Sequence, residues 1–94
     1  MLFYQNKKMP RISEFYGIII AMFYNDHNPP HFHVIYGEYK ALISVGEPEI
    51  IDGFLPSRAK SMVFEWAKIH QSELKREWEL AKEHRPLFWI EPLE

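Results

Sequence analysis

The sequence predicts an α+β fold in which a small antiparallel sheet of three to four strands packs on one long C-terminal helix. Two patterns predict this class. Apolar runs rich in β-branched and aromatic residues, separated by turn residues, fill the chain before residue 53. From residue 57 to residue 84, apolar residues instead recur at three- and four-residue steps, which is the period of an amphipathic helix. Sequential strands followed by a terminal helix leave few other arrangements.

Length and charge limit what the chain can be. Its 94 residues suit one hydrophobic core, so we assign residues 9–94 to a single α+β domain. Residues 1–8 mix aromatic and basic side chains without a period, and we assign them to an N-terminal extension. The 11 Lys and Arg residues against 13 Asp and Glu residues give a formal charge of −2. No global positive field would attract nucleic acid, so RNA would need a local patch.

The expected environment is the cytoplasm. The sequence has no cysteine, which excludes a disulfide framework and a thiolate metal site. Its longest apolar stretch, residues 17–24, is far shorter than the roughly 20 residues that span a bilayer. The N-terminus also lacks the layout of a signal peptide. We therefore expect no membrane partner.

The strands can be placed from residue patterns. Residues 17–24 contain no charged side chain and predict a buried strand, whereas the prolines and asparagines of residues 25–30 predict a loop. Residues 31–36 and 39–45 are strand-like and flank Gly37-Glu38, which favours a type II′ hairpin. Residues 49–52 form a plausible short last strand.

The hairpin fixes which side chains share a face. Pairing outward from the turn directs one apolar set to the core, namely Phe32, Val34, Tyr36, Tyr39, Ala41 and Ile43. His31 and His33 then lie on the opposite face. Replacing either histidine with Ala is therefore expected to cost little stability.

The helical region is longer than the sheet can cover. A straight helix over residues 57–84 would measure about 40 Å, while a seven-residue strand spans about 23 Å. The second half must overhang, bend or meet a partner, and Gln71-Ser72 is the expected bend. The following segment, with Phe88 and Trp89, is proline-bounded and should be extended. We expect it to bind a protein partner or a second copy of the chain.

The strongest candidate for a functional site is residues 26–33, where Asp26, His27, His31 and His33 lie within eight positions. Histidines two apart on a strand point the same way and can reach one divalent metal ion, with Asp26 or His27 as a third ligand. Three ligands and an open position would suit metal-dependent hydrolysis.

Two other interpretations of the same segment stay open. Two imidazoles near one phosphate can act as general base and general acid without metal, with Lys40 and Ser44 across the hairpin and Asn28 binding the substrate. Alternatively, both histidines are half-exposed scaffold residues, hydrogen-bonded to loop carbonyls, and the prolines only stiffen the turn. We expect no cofactor, apart from the divalent metal of the first interpretation.

Residues 9–34 and 37–43, with the core His27-Asn-Pro-Pro-His-Phe-His33, resemble the bacterial family called domain of unknown function 4160. Genes of this family often lie beside a second small gene, an arrangement similar to toxin and antitoxin pairs. The resemblance implies a protein partner encoded by the neighbouring gene, and it supplies no catalytic residues.

The leading functional expectation is one component of a toxin-antitoxin-like two-gene module that acts on RNA through residues 26–33. One alternative is a non-enzymatic protein-binding or regulatory module, which the slight excess of acidic over basic residues favours. The other is a metal-dependent hydrolase. The sequence does not decide whether the protein is an enzyme.

Overall fold

The computed structural model describes residues 10–94, so the predicted extension lies outside the described residues. Within them the chain forms an antiparallel five-stranded sheet followed by two helices, which confirms the α+β class. The strands are β1 (Arg11–Phe15), β2 (Ile18–Ala21), β3 (His31–Tyr36), β4 (Tyr39–Ser44) and β5 (Ile50–Gly53), and the helices are α1 (Ser57–Ile69) and α2 (Gln71–Lys82). Each strand pairs with the next one along the chain.

The prediction of three to four strands is corrected to five, because β1 was not predicted, whereas β2 lies within the strand predicted at residues 17–24. These strands pair antiparallel and are joined by Tyr16 and Gly17. Both turn residues have positive φ, 50° at Tyr16 and 79° at Gly17. A tyrosine rarely adopts this conformation, so the sequence carries little signal for the turn.

The hairpin of β3 and β4 has the predicted register. Tyr36 pairs with Tyr39, and every pair from there to His31 and Ser44 follows in step. Gly37 has a φ of 60°, while Glu38 is outside the positive-φ region, as a type II′ turn requires. The alternation consequently places Phe32 in the core, fully buried.

The prediction of one long C-terminal helix is wrong, because the structure has two helices. α1 ends at Ile69 and α2 begins at Gln71, with His70 between them at φ −108° and ψ 29°. The break lies immediately before the bend expected at residues 71–72. α2 turns toward the loop between β2 and β3, where Ala81 accepts a backbone hydrogen bond of 3.3 Å from Asn25.

One core runs through the described residues. The Trp66 side chain lies within it, with the rings of Phe15 and Phe32 at centroid distances of 5.5 and 5.9 Å. Its indole Nε1 donates a 2.8 Å hydrogen bond to the Glu91 carbonyl. The core therefore includes contacts from β1, β3, α1 and the segment after α2.

Besides the Glu91 carbonyl, two backbone N–H groups attach the segment after α2 to the domain. Ile90 is fully buried, and its N–H donates a 2.7 Å hydrogen bond to the carbonyl of Ile12 in β1. The N–H of Phe88 donates a 2.7 Å bond to Oε1 of Glu77, a fully buried carboxylate on α2. The other Glu77 oxygen accepts from the Arg76 guanidinium at 2.8–2.9 Å. A buried charge is thus used to hold this segment in place.

Replacing Glu77 with Ala should lower the free energy of unfolding by about 2 kcal/mol, because the Phe88 N–H loses its acceptor. Glu79→Ala, at an exposed position of the same helix, is the control and should change stability by less than about 0.5 kcal/mol. Urea unfolding monitored by tryptophan fluorescence measures both. Equal stabilities of the two variants would show that the buried carboxylate does not anchor the segment.

Candidate metal centre

The loop between β2 and β3 positions Asp26. It leaves the sheet after Ala21, and Asn25 turns the chain with a φ of 55°. The Asn25 N–H is bound to α2, and the Asn28-Pro29 peptide bond is cis. This course returns the Asp26 carboxylate to the beginning of β3.

Asp26 and the two strand histidines meet at one carboxylate oxygen. Oδ2 of Asp26 lies 3.0 Å from Nε2 of His31 and 3.1 Å from Nε2 of His33. The side chains of Asp26 and His33 are 22% and 24% exposed, whereas that of His31 is 8% exposed. The cluster is therefore partly shielded from water but open on the Asp26 and His33 side.

The two ring nitrogens of His31 both face oxygen acceptors. Nδ1 lies 2.8 Å from the Pro29 carbonyl, which can only accept, so Nδ1 carries a hydrogen. In a neutral imidazole Nε2 then bears a lone pair, yet it lies 3.0 Å from a carboxylate oxygen. Two lone pairs at this distance repel each other. A proton or a metal cation between Nε2 and Oδ2 is required to make the contact favourable.

His33 is held differently. Its Nε2 can donate to Asp26 as a neutral imidazole, and its ring packs edge-on against Phe23 with a centroid distance of 4.5 Å. The His31 ring lies 5.3 Å away. His33 is thus oriented by one polar and one aromatic neighbour and keeps access to solvent.

The pKa of the Asp26 carboxyl is lowered from its ordinary value. Partial burial acts to raise this pKa, but several other contributions outweigh it. The largest of these is the hydrogen bond from His33, followed by the backbone N–H of His27 at 2.8 Å and by the charges of His31 and His33. Asp26 is therefore an ionised, acceptor-only group at neutral pH.

The expectation that His31 is half-exposed is wrong. His31 is buried, and its ring lies 5.4 Å from the ring of Trp78 on α2. The register of β3 does place His31 on the face opposite Phe32, but the break at His70 lets α2 cover the end of that face. His31 therefore combines a polar role with a packing role, and we now expect its replacement to cost more stability than the sequence predicts.

The other predicted site residues are arranged unevenly around the cluster. His27 is 93% exposed, with Nδ1 3.8 Å from Asp26 Oδ1, and Asn28 is exposed beside it. Both line the hollow of about 320 Å³ that contains Asp26, His31 and His33. Lys40 is exposed and lines a neighbouring hollow together with His33.

Three predicted binding residues are not part of the cluster. The Ser44 hydroxyl donates to the Glu47 carbonyl at 2.7 Å and accepts from the Glu49 N–H at 3.0 Å, so it closes the turn between β4 and β5. Phe88 and Trp89 line neither hollow at His33. Their side chains are 58% and 55% exposed, as the predicted apolar surface requires.

The cluster has the dimensions of a metal site. One ligand atom from each of Asp26, His31 and His33 lies within 4.8 Å of the other two. Metal bonds of about 2.0–2.1 Å place neighbouring ligand atoms roughly 2.8–3.4 Å apart, from octahedral to tetrahedral angles, and the two Nε2 to Oδ2 distances, 3.0 and 3.1 Å, lie in this range. The bond from His31 Nδ1 to a backbone carbonyl is also the usual outer contact of a metal-binding histidine. The residues therefore fit a divalent transition metal.

A family model described as domain of unknown function (DUF4160) matches residues 17–79, and the chain belongs to that family. The matched region contains Asp26, His31 and His33. No curated protein and no solved structure matches the chain. Within residues 10–94, no helix is long and apolar enough to cross a membrane.

The depressed pKa of Asp26 predicts a defined loss of stability in acid. Because the folded pKa lies below the unfolded one, the stabilisation is complete above the ordinary aspartate range and disappears as the pH falls through the folded pKa. In chelator-treated protein, Asp26→Asn should therefore be less stable than the wild type at neutral pH and nearly equal to it in strong acid. Glu38→Gln, in an exposed turn, is the control. A stability difference that does not change with pH would contradict the assignment.

The two histidines should differ in their contribution to stability. His31→Ala opens space beside Trp78 and should cost about 2–3 kcal/mol, whereas the more exposed His33→Ala should cost less than about 1 kcal/mol. Phe32→Ala is the reference for loss of a core side chain and should lower the free energy of unfolding by about 3–5 kcal/mol. Urea unfolding of chelator-treated protein measures all three. Equal losses for both histidine variants would contradict the burial of His31.

Proposed function

We propose that the protein binds one divalent transition-metal ion through Asp26, His31 and His33 and acts as a metal-dependent hydrolase. One observation carries the proposal. The Nε2 atom of His31, whose other nitrogen is bound to a carbonyl, is directed at an ionised carboxylate oxygen 3.0 Å away. A cation bound by both atoms would take the place of the proton that this contact otherwise requires.

Metal-free acid-base catalysis by the histidine pair is less well supported. A general acid or base needs a ring nitrogen within hydrogen-bond reach of the substrate. His31 has none to offer, because Nδ1 is bound to Pro29 and Nε2 faces Asp26. His33 also uses Nε2 on Asp26. The geometry thus favours joint binding of a cation over separate proton transfers by the two rings.

The donor set indicates the kind of ion and reaction. Two imidazoles and one carboxylate favour Zn²⁺, Fe²⁺ or a similar ion over Mg²⁺ and Ca²⁺, which prefer oxygen ligands. When bound, such an ion supplies Lewis-acid activation of water for hydrolysis. Pro29 and Trp78 orient His31, and the Asp26 carboxylate balances part of the charge. The exposed His27 beside the hollow is placed to pass a proton to a leaving group.

Isothermal titration of chelator-treated, untagged protein with zinc tests the proposal. We expect about one equivalent to bind, and His33→Ala should weaken affinity by more than about 100-fold, since loss of even an outer contact costs 10–100-fold. His33→Ala is preferred because the buried His31 also supports folding.

His27→Ala removes an imidazole from the same motif but no proposed ligand, and it should bind zinc like the wild type. Circular dichroism of each variant shows that it is folded. Equal zinc affinity of folded His33→Ala and wild type, or no stoichiometric binding by the wild type, would overturn the metal site.

A second candidate function is a component of a toxin-antitoxin-like two-gene module in the bacterial cytoplasm. The gene arrangement implied by the family resemblance motivates it, and the exposed side chains of Ile69, Phe88 and Trp89 suit a protein partner or a second copy. The partner would be encoded by the neighbouring gene. A non-enzymatic regulatory role would use the same surface without the metal site.

Inducible expression in a bacterial host separates these roles. A toxin should arrest growth, co-expression of the neighbouring gene should restore it, and His33→Ala should abolish the arrest if the metal site is the active centre. Glu38→Gln, in the exposed turn between β3 and β4 and outside both hollows at His33, provides the control and should still arrest growth. Harmless expression of a folded wild-type protein would oppose a toxin and favour the regulatory role.

A further inference from the structure

The outer face of the sheet carries apolar side chains that remain open. Phe32 and Val34 face the core, whereas the outward residues Ile35 and Leu42 are partly exposed and Ile51 is 44% exposed. Two hollows lie on this face, of about 320 and 330 Å³. His33 and Leu42 line both, so the hollows adjoin. The hollow of about 320 Å³ contains the Asp26, His31 and His33 cluster. We call the other, of about 330 Å³ and lined by Lys40, the side hollow.

The lining of the side hollow is largely apolar and includes one positively charged side chain, that of Lys40. Phe23, Ile35 and Leu42 contribute apolar surface, and Lys40 and Asp52 are the charged residues that line it. Among the residues that the structure describes, Lys40 is the one Lys or Arg lining either hollow, and its side chain makes no hydrogen bond or ion pair. Asp52 is partly engaged, since its Oδ1 accepts a 2.9 Å bond from the Gly53 N–H.

The backbone fixes the far end of the side hollow. Gly53 has a φ of 86°, and a Cβ at this position would lie 2.2 Å from the Lys40 carbonyl oxygen. The same carbonyl accepts a 3.0 Å hydrogen bond from the Phe54 N–H. Only glycine allows β5 to approach β4 this closely. The Lys40 backbone is therefore held in a defined position relative to the sheet.

The sheet register gives the spacing between the cation and the metal centre. Leu42 pairs with His33, and Lys40 lies two residues before Leu42 in β4, toward the β3–β4 turn. Two residues of a strand span about 7 Å. A ligand that reaches from His33 to Lys40 thus needs an apolar part of roughly this length with an anionic group at its end.

We propose that the side hollow binds small carboxylates with an apolar chain, and that this is the part of the substrate which determines specificity. The role in specificity rests on the proposed hydrolase function. The apolar lining receives the chain, and Lys40 binds the carboxylate. An RNA backbone fits this face less well, because several phosphates need several cations and the two hollows together offer one lysine, Lys40, and two carboxylates, Asp26 and Asp52.

Octanoate and octanamide are suitable probes, because they share a chain and differ in charge. Each is titrated into chelator-treated full-length protein, and backbone amide shifts are followed by NMR. Octanoate should shift the amides of Ile35, Lys40 and Leu42 and bind about fivefold tighter than octanamide. Lys40→Met should remove this preference, whereas Lys68→Met, which removes an exposed charge on α1, should retain it.

The outcomes separate this inference from the metal site. Both probes are titrated into metal-free protein, so failure of zinc binding leaves the octanoate result unaffected. Shifts that avoid the side hollow, a preference for octanoate that survives Lys40→Met, or tighter binding of a single-stranded RNA oligonucleotide at the same amides would each overturn the inference. Octanoate binding that is unchanged by zinc, with zinc bound normally, would show that the side hollow does not serve the metal centre.

Discussion

The alternation of side chains along β3 is the constraint on which both the core and the candidate site depend. β3 is paired on both sides, so a slip by one residue would exchange its two faces. Phe32 and Val34 would then leave the core, and both histidines would enter it. Exposing the apolar side chains and burying the histidines would both cost free energy, so the observed register of β3 is strongly favoured over a slip. The same packing that stabilises the domain therefore also sets the direction of His31 and His33.

Much of this strand pair could be predicted because its signals are local. A two-residue loop beginning with Gly37 and a period-two apolar pattern determine the pairing without information from the rest of the chain. The hairpin of β1 and β2 lacks such a signal, since Tyr16 occupies a position usually taken by Gly or Asn. The break at His70 could be predicted only approximately, as a bend at residues 71–72, because no Gly or Pro marks its position.

The candidate site was predictable in its members but not in its geometry. The spacing of His31 and His33 predicts a shared face, and the sequence leaves Asp26 and His27 as equivalent third ligands. The loop conformation decides between them, as Asp26 returns to β3 while the His27 side chain extends into solvent. The burial of His31 and the role of the Pro29 carbonyl follow from the packing of α2 and from backbone geometry. Neither is encoded in residue periodicity.

The attachment of Ile90 to β1 also has a consequence for how the chain acquires its structure. Ile12 and Ile90 are joined by a backbone hydrogen bond and are both fully buried, although almost the whole domain separates them in sequence. Contacts of such long range delay folding, because the chain between them must be ordered first. During synthesis, the sheet and helices emerge before residue 90 is available. The completed core, and with it the final position of α2 over His31, is therefore reached only once residue 90 is in place.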